Sequence, residues 1–289
     1  MGNNRHKPVK ISFPVRYYHR RTVLFDDPIP ARGYRGHVEK SLEVRASETV
    51  VGVMHAGNAG YPGGLEWSGD SPDAVITGSC ESIPREKDIV DNHIAPLFDA
   101  ARSIGIRVVY LMSGCEEWAK MYPQYRELAA RVKEPKSPRA DLPRCSKNFR
   151  QEFLREVLGT EYMEMVKRVR DKTDAVPPTI EPQPQDWIIT TSGQVATLLS
   201  ENSILNVLLT GFSTCGCLLH EPGGVYDMGG LGYRCVVLRD CTTASESAET
   251  APNLVITQSI LTVIELFRAY TADSKDVISA IEAASVPAK

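Results

Sequence analysis

Several classes of protein are excluded by what this 289-residue sequence lacks. It has no apolar run of the roughly 18 residues that a transmembrane helix needs. No apolar stretch follows the basic residues near its N-terminus, so we expect no secretory signal. Neither sign of charge is in excess, because 33 Lys and Arg face 36 Asp and Glu, for a net charge of -3. We therefore expect neither nucleic acid nor a membrane as a partner.

Cysteine is present, but not in a pattern typical of disulfide scaffolds or zinc sites. The seven cysteines are an odd number in a long chain, which argues against a disulfide framework. Cys215 and Cys217 form a C-x-C pair, and no second pair lies at zinc-finger spacing. The sequence therefore predicts a reduced, cytoplasmic protein with no metal and no other cofactor, in which most thiols are small buried side chains.

Apolar strands alternate with amphipathic helices from residue 48 onwards. ETVVGVMHA, RVVYLMS, DWIITT, NVLLTGF and YRCVVLRD are apolar through their length, as strands covered on both faces are. Helical patterns separate them, and the pattern ends in a long amphipathic helix near residues 250–270. With 42% hydrophobic residues, this pattern predicts one compact α/β domain built on a parallel sheet.

The rest of the sequence predicts an arm, an insertion and a tail attached to this domain. Residues 1–46 mix Pro, Gly, Arg and aromatics, and we interpret them as an irregular arm that packs on the body or on another subunit. The domain is expected to span 47–272, with a C-terminal tail at 273–289. Residues 114–185 form a charged, proline-broken insertion, for which a pocket lid and a solvated helical decoration or oligomer contact are alternative roles.

Ligands of open α/β sheets bind where parallel strands end, and the first such loop here is Met54-His55-Ala56-Gly57-Asn58. A histidine at this place suits acid/base work, although a structural, hydrogen-bonded histidine explains it equally well. Asn58 is a candidate for binding substrate or orienting His55, with a turn-stabilising role as the alternative.

The second loop, residues 211–217 (GFSTCGC), runs from a strand into a helix. A cysteine at a helix start has a lowered pKa that favours the nucleophilic thiolate, and free N–H groups there can hold an oxyanion. Two cysteines packed in a tight turn are the alternative interpretation. The two loops together suggest a Cys–His pair for acyl transfer, provided that their strands are adjacent.

These residues resemble the isochorismatase-like cysteine hydrolases, which include nicotinamidase and carbamoyl-amide hydrolases. The resemblance covers roughly residues 47–270. It is most specific in G-x-x-T-x-x-C at 211–217 and in GYRCVVLRDCT at 232–242, which is similar to the family's G-Y-x-V-x-V-x-x-D-A-T. It implies a three-layer α/β/α fold, a doubly wound six-stranded sheet of order 3-2-1-4-5-6, and a homo-oligomer, dimer or tetramer.

The resemblance also implies roles for individual residues. Cys217 takes the position of the nucleophile, the Phe212–Ser213 peptide is expected to be cis, and the N–H groups of Ser213 and Cys217 face the oxyanion. The family's catalytic Asp is replaced by His55, and its Lys position falls near Thr190 or Thr191. We therefore expect Thr191 to be a catalytic residue and Thr190 to contribute to the oxyanion or substrate site. No lysine occurs between Lys172 and Lys275.

We therefore expect a hydrolase of an amide or ureido C–N bond in a small molecule, acting through Cys217 with His55 as base. A catalytically silent relative used for binding or assembly is the alternative, and other chemistry in the same pocket is a third. Glu81, Trp67 and Tyr61 are candidates for the pocket wall or for loop packing. His220, three residues after Cys217, is a rival base.

Overall fold

The computed structural model describes residues 8–19, 36–65, 82–133, 149–169 and 175–285. Its centre is a mixed sheet with the described order β2-β1-β8-β7-β6-β3-β4-β5. The strands are β1 Lys10–His19, β2 Gly36–Arg45, β3 Thr49–Met54, β4 Arg107–Leu111, β5 Trp187–Ile189, β6 Asn206–Gly211, β7 Arg234–Leu238 and β8 Tyr270–Ala272.

The six strands β3 to β8 pair in parallel. Counted from β3, they follow the order 3-2-1-4-5-6, so the predicted doubly wound α/β fold is confirmed. The predicted count of six strands is wrong, because β1 and β2 extend the described sheet to eight strands. β3 and β6 lie side by side where the strand order reverses. In folds of this kind that is the place where ligands bind.

Helices cover both faces of the sheet. The described helices are α1 Ser82–Ile89, α2 Ala95–Ser103, α3 Glu116–Ala119, α4 Pro123–Arg131, α5 Phe149–Leu158, α6 Thr160–Val169, α7 Ser192–Glu201, α8 Cys217–His220, α9 Val225–Gly230, α10 Val255–Phe267 and α11 Ser274–Ser285. A π-helical turn, Val90–Ile94, joins α1 to α2. No described helix is long and apolar enough to cross a membrane.

Successive strand residues belong to two separate cores, as side chains that alternate across a sheet must. Val51 and Val53 of β3 pack in the core that contains α2 and α11, whereas Val50 and Met54 pack in the core that contains α7 and α10. The three-layer arrangement follows directly from this alternation along strands that are apolar throughout.

The expectation that residues 1–46 are irregular is wrong for the described part of that segment. β1 and β2 pair antiparallel over their whole lengths, and β1 continues the sheet beyond β8 through Arg16, opposite Thr271. Ile11, Phe13 and Val15 are buried and alternate with exposed residues at 10, 12 and 14, a period of two that is typical of a half-covered strand. The Pro and Arg content of the segment hid this pattern.

Candidate active site

The register between β3 and β6 places the two candidate loops at one edge of the sheet. Met54 lies opposite Gly211, and the N–H of Phe212 donates to the Met54 carbonyl at 2.7 Å. A Cβ on Gly211 would lie 2.1 Å from that carbonyl oxygen, so this close approach requires glycine. The adjacency of strands that a Cys–His pair needs is therefore present.

His55 is the first residue beyond β3, and its surroundings orient the imidazole. Its backbone has a left-handed φ of 42°, and its N–H donates to the Leu111 carbonyl at 3.3 Å. The half-buried ring places Nε2 2.9 Å from the carbonyl oxygen of Ser113. Because a carbonyl oxygen only accepts, Nε2 carries the hydrogen, and in the neutral ring Nδ1 keeps the lone pair.

The loop between β6 and α8 has one backbone feature that the resemblance implies. The Phe212–Ser213 peptide is cis, which confirms that expectation. The Ser213 carbonyl accepts from the N–H groups of Gly216 and Leu218, at 3.1 and 3.2 Å. The Ser213 N–H donates to no partner among the described residues, so it is suited to an oxyanion.

Cys217 is the first residue of α8, where the sequence predicts a helix to begin. Its thiol is half-buried. This helix is a single turn, so its dipole does little to stabilise a thiolate, and a neighbouring base carries more weight.

Burial divides the described cysteines into two groups. Burial raises the pKa of the Cys235 thiol to about 12, and burial raises the pKa of Cys241 well above its ordinary value. Cys115, Cys215 and Cys217 are half-buried. Cys215 and Cys217 of the loop between β6 and α8 thus belong to the less buried group, while Cys80 and Cys145 lie outside the described residues.

Thr190 and Thr191, which the resemblance places near the family's lysine position, hold the start of α7. Thr191 is its N-cap, and its hydroxyl accepts from the N–H of Gln194 at 3.3 Å. The Gln194 side chain accepts in turn from the Thr190 N–H at 2.8 Å, and the Thr190 hydroxyl lies 3.0 Å from that of Tyr125. These contacts show a capping role, and a catalytic role for Thr191 stays a prediction. The T-x-x-Q spacing is a capping signal that the sequence analysis missed.

Asn58 is buried, and its Oδ1 has no hydrogen-bond partner within the described part of the chain. A buried acceptor left unpaired costs about 1–3 kcal/mol, so such atoms commonly mark a ligand or a water. Glu81 and Trp67 lie outside the described residues. The buried Tyr61 donates to Asp91 Oδ1 at 2.8 Å, which supports loop packing for this side chain.

His220, the rival base, is exposed and stacks on Tyr226 with ring centroids 5.1 Å apart. This stacking weakens its candidacy. Within the described residues, no group of three or more His, Cys, Asp or Glu side chains is placed to hold a metal ion.

Two residues at this edge escaped the sequence analysis. Ser113 follows β4, and its hydroxyl lies 2.9 Å from Glu221 Oε2 and 3.4 Å from His55 Nε2. Glu221 directly follows α8, and its N–H donates to the Cys217 carbonyl at 3.0 Å. Two features of the sequence could have identified these residues: Ser113 follows a predicted strand, and Glu221 lies four residues after Cys217.

The comparison with protein families decides the relationship. The model described as the isochorismatase domain matches residues 75–265. The chain belongs to the isochorismatase family. None of the curated proteins searched matches this isochorismatase-family chain.

Solved structures to which this chain is similar include two named as hydrolases and one named as an amidase. A cysteine hydrolase from Pseudomonas syringae is 16% identical, with 83% of this chain and 95% of that chain covered and a TM-score of 0.49. An isochorismatase-like hydrolase from Alkaliphilus metalliredigens is 15% identical (81% and 98% covered, TM-score 0.46). N-carbamoylsarcosine amidase from Thermoplasma acidophilum is also 15% identical (80% and 98% covered, TM-score 0.43).

Proposed function

We propose that this isochorismatase-family protein hydrolyses an amide or ureido C–N bond of a small molecule, with Cys217 as nucleophile and His55 as base. The observation that carries the proposal is the parallel register of β3 and β6, which brings the ends of both strands to one edge of the sheet. The His55 ring is anchored there by its Nε2–H, which leaves Nδ1 as the proton acceptor.

The reaction then follows from these groups. His55 Nδ1 takes the proton of the Cys217 thiol, and the thiolate attacks the substrate carbonyl carbon. The N–H groups of Ser213 and Cys217 stabilise the oxyanion. The imidazolium returns the proton to the leaving nitrogen as the C–N bond breaks, and a water molecule hydrolyses the thioester. An imidazole, with an ordinary pKa of about 6.5, forms an ion pair with a thiolate without help from a lysine.

The unpaired Oδ1 of Asn58 supports an amide or ureido substrate. Such substrates carry N–H donors beside the scissile carbonyl, and a donor of this kind would satisfy the buried acceptor. Thr190 and Thr191 contribute by holding the start of α7 at the same edge of the sheet. A homo-oligomeric state and a cytoplasmic location stay predictions.

A non-hydrolytic family member used for binding or assembly is the second candidate. One observation supports it, since the threonines expected near the family's lysine position make hydrogen bonds at the start of a helix. The two candidates differ in the chemistry expected of the Cys217 thiol. A hydrolase needs a thiolate stabilised by His55, whereas a silent protein needs only an ordinary cysteine.

Alkylation of Cys217 by iodoacetamide, followed by peptide mass spectrometry from pH 5 to 10, tests the proposal. We expect the rate to rise with an apparent pKa well below the ordinary thiol value of about 8.5, and His55→Ala to move that pKa up towards it. Cys215 is the internal control, because it lies two residues away in the same loop and is also half-buried.

Turnover is measured next with a panel of small amides and ureido compounds. We expect a hydrolysed compound whose turnover is abolished by Cys217→Ser and unaffected by Cys215→Ser. An ordinary alkylation profile for Cys217 that ignores His55→Ala would refute the mechanism and favour the silent candidate.

A further inference from the structure

A short hydrogen-bonded chain joins the proposed base to an acidic residue that follows α8, here called the nucleophile helix because it begins at Cys217. His55 Nε2 lies 2.9 Å from the carbonyl oxygen of Ser113 and 3.4 Å from its hydroxyl. The hydroxyl oxygen lies 2.9 Å from Glu221 Oε2. His55, Ser113 and Glu221 are all half-buried, where water screens charges less than on an open surface.

The hydrogens of this chain have one consistent arrangement. An ionised carboxylate only accepts, so the single hydroxyl hydrogen of Ser113 is donated to Glu221. The lone pairs of that hydroxyl then face Nε2, which must carry a hydrogen shared between the two oxygens of Ser113. Glu221 thereby selects the same ring tautomer as the Ser113 carbonyl does.

The backbone fixes Glu221 relative to both members of the proposed pair. Its N–H donates to the Cys217 carbonyl at 3.0 Å, and its carbonyl accepts from Gly224 at 2.8 Å. A Cβ on Gly223 would lie 2.6 Å from Leu111 Cδ2, so this turn packs tightly against the end of β4, which precedes Ser113. Movement of the nucleophile helix would therefore move the group that orients the base.

We propose that Glu221 is a positioning residue that acts through Ser113 to hold the His55 ring with its hydrogen on Nε2 and to stabilise the imidazolium form. The inference rests on the proposed function, since it assigns His55 a proton to accept. It adds a carboxylate to this site that takes no part in bonding to the substrate.

Other titratable groups on the two neighbouring segments make contacts of their own. Cys217 begins the nucleophile helix, and His220 at its end stacks on Tyr226. After β4, Cys115 is half-buried, and the exposed Glu116 accepts from the Gly114 N–H at 3.2 Å. Glu116 is a suitable control, because it is a carboxylate of the same region that this chain of hydrogen bonds does not include.

The test is an NMR titration of the His55 ring in a Cys217→Ser background, which removes the coupled thiol. The two hydrogen-bond distances place the Glu221 carboxylate within roughly 6 Å of Nε2. At that separation a unit charge changes the pKa of the ring by about 0.5 in a water-like medium and by about 2 at a dielectric constant near 20. We expect Glu221→Gln to lower the His55 pKa by about 0.5 to 2 and to increase the fraction of ring with its hydrogen on Nδ1. Glu116→Gln should change neither quantity.

Ser113→Ala provides a second route if Glu221→Gln fails to fold. It keeps the backbone carbonyl and the carboxylate but removes the bridging hydroxyl, and it should also increase the Nδ1–H fraction. An unchanged pKa and tautomer in a folded Glu221→Gln protein, or an unchanged tautomer in Ser113→Ala, would overturn the inference. Because the titration needs neither turnover nor the Cys217 thiol, an ordinary alkylation profile for Cys217 would refute the hydrolase mechanism without deciding this inference.

Discussion

Replacement of Glu265 by glutamine tests how the N-terminal hairpin, β1 with β2, is held to the rest of the sheet. Glu265 lies on α10 with a side chain that is 0% exposed. Its Oε1 accepts from Arg16 Nε at 2.7 Å and from the Thr271 hydroxyl at 2.5 Å. Its Oε2 lies 2.9 Å from His37 Nε2 but makes no hydrogen bond within the described residues. One carboxylate thus joins α10 to β1 and β8 by hydrogen bonds, with His37 of β2 close by.

The expected loss of stability follows from the burial of each partner. Removing one member of a fully buried ion pair costs about 3–5 kcal/mol, because the other charge is left without compensation. Arg16 and His37 are 26% and 41% exposed, so both regain some hydration when the carboxylate is lost. We therefore expect Glu265→Gln to lower the free energy of unfolding by about 2–3 kcal/mol.

Equilibrium urea unfolding followed by circular dichroism measures this change, and the same hairpin offers a matched control. Glu43 pairs with Lys10 at 2.7 Å, but the two side chains are 58% and 49% exposed. Surface pairs of this kind contribute about 0–1 kcal/mol, so Glu43→Gln should have little effect. If both variants lost the same small amount, the buried network would not hold the hairpin and the reasoning would be wrong.

Two further variants test packing and the pH dependence of stability. Phe13→Ala should cost about 3–5 kcal/mol in the same urea assay, because the Phe13 side chain is 1% exposed, and a loss below about 1 kcal/mol would show that β1 does not pack stably. Burial raises the pKa of Asp91, but hydrogen bonds from Lys87, Tyr61 and Thr179 outweigh it and the net pKa is lowered. Its contribution to stability is therefore present above the ordinary carboxyl pKa of about 3.9 and lost as pH falls through the folded-state value. Asp91→Asn should cost about 1–2 kcal/mol at pH 7, with a difference from wild type that shrinks below pH 4, and a difference independent of pH would contradict this account.

Local pattern was sufficient to predict the scaffold. Strands that are apolar along their whole length need cover on both faces, which only helices on each side of a parallel sheet provide. The start of a helix at Cys217 and the position of His55 after a strand also followed from short stretches of sequence. All these features can be predicted from the pattern of residues close together in the chain.

The wrong expectation for the N-terminal segment and the missed helix cap have physical causes as well. The alternation of Ile11, Phe13 and Val15 is present in the sequence, but a hairpin becomes part of a sheet only through pairing with β8, some 250 residues later. At Thr191, the resemblance to the family drew attention to catalysis, while the local T-x-x-Q spacing indicated the cap that the structure contains.

The sequence by itself determined the class of fold, the strands that end at the candidate site and the two side chains proposed for its chemistry. Only the tertiary structure decided that Ser113 and Glu221, 108 residues apart, meet beside His55. The reason is that hydrophobic periodicity encodes which face of an element is buried, whereas the direction of a hydrogen bond depends on how distant elements pack.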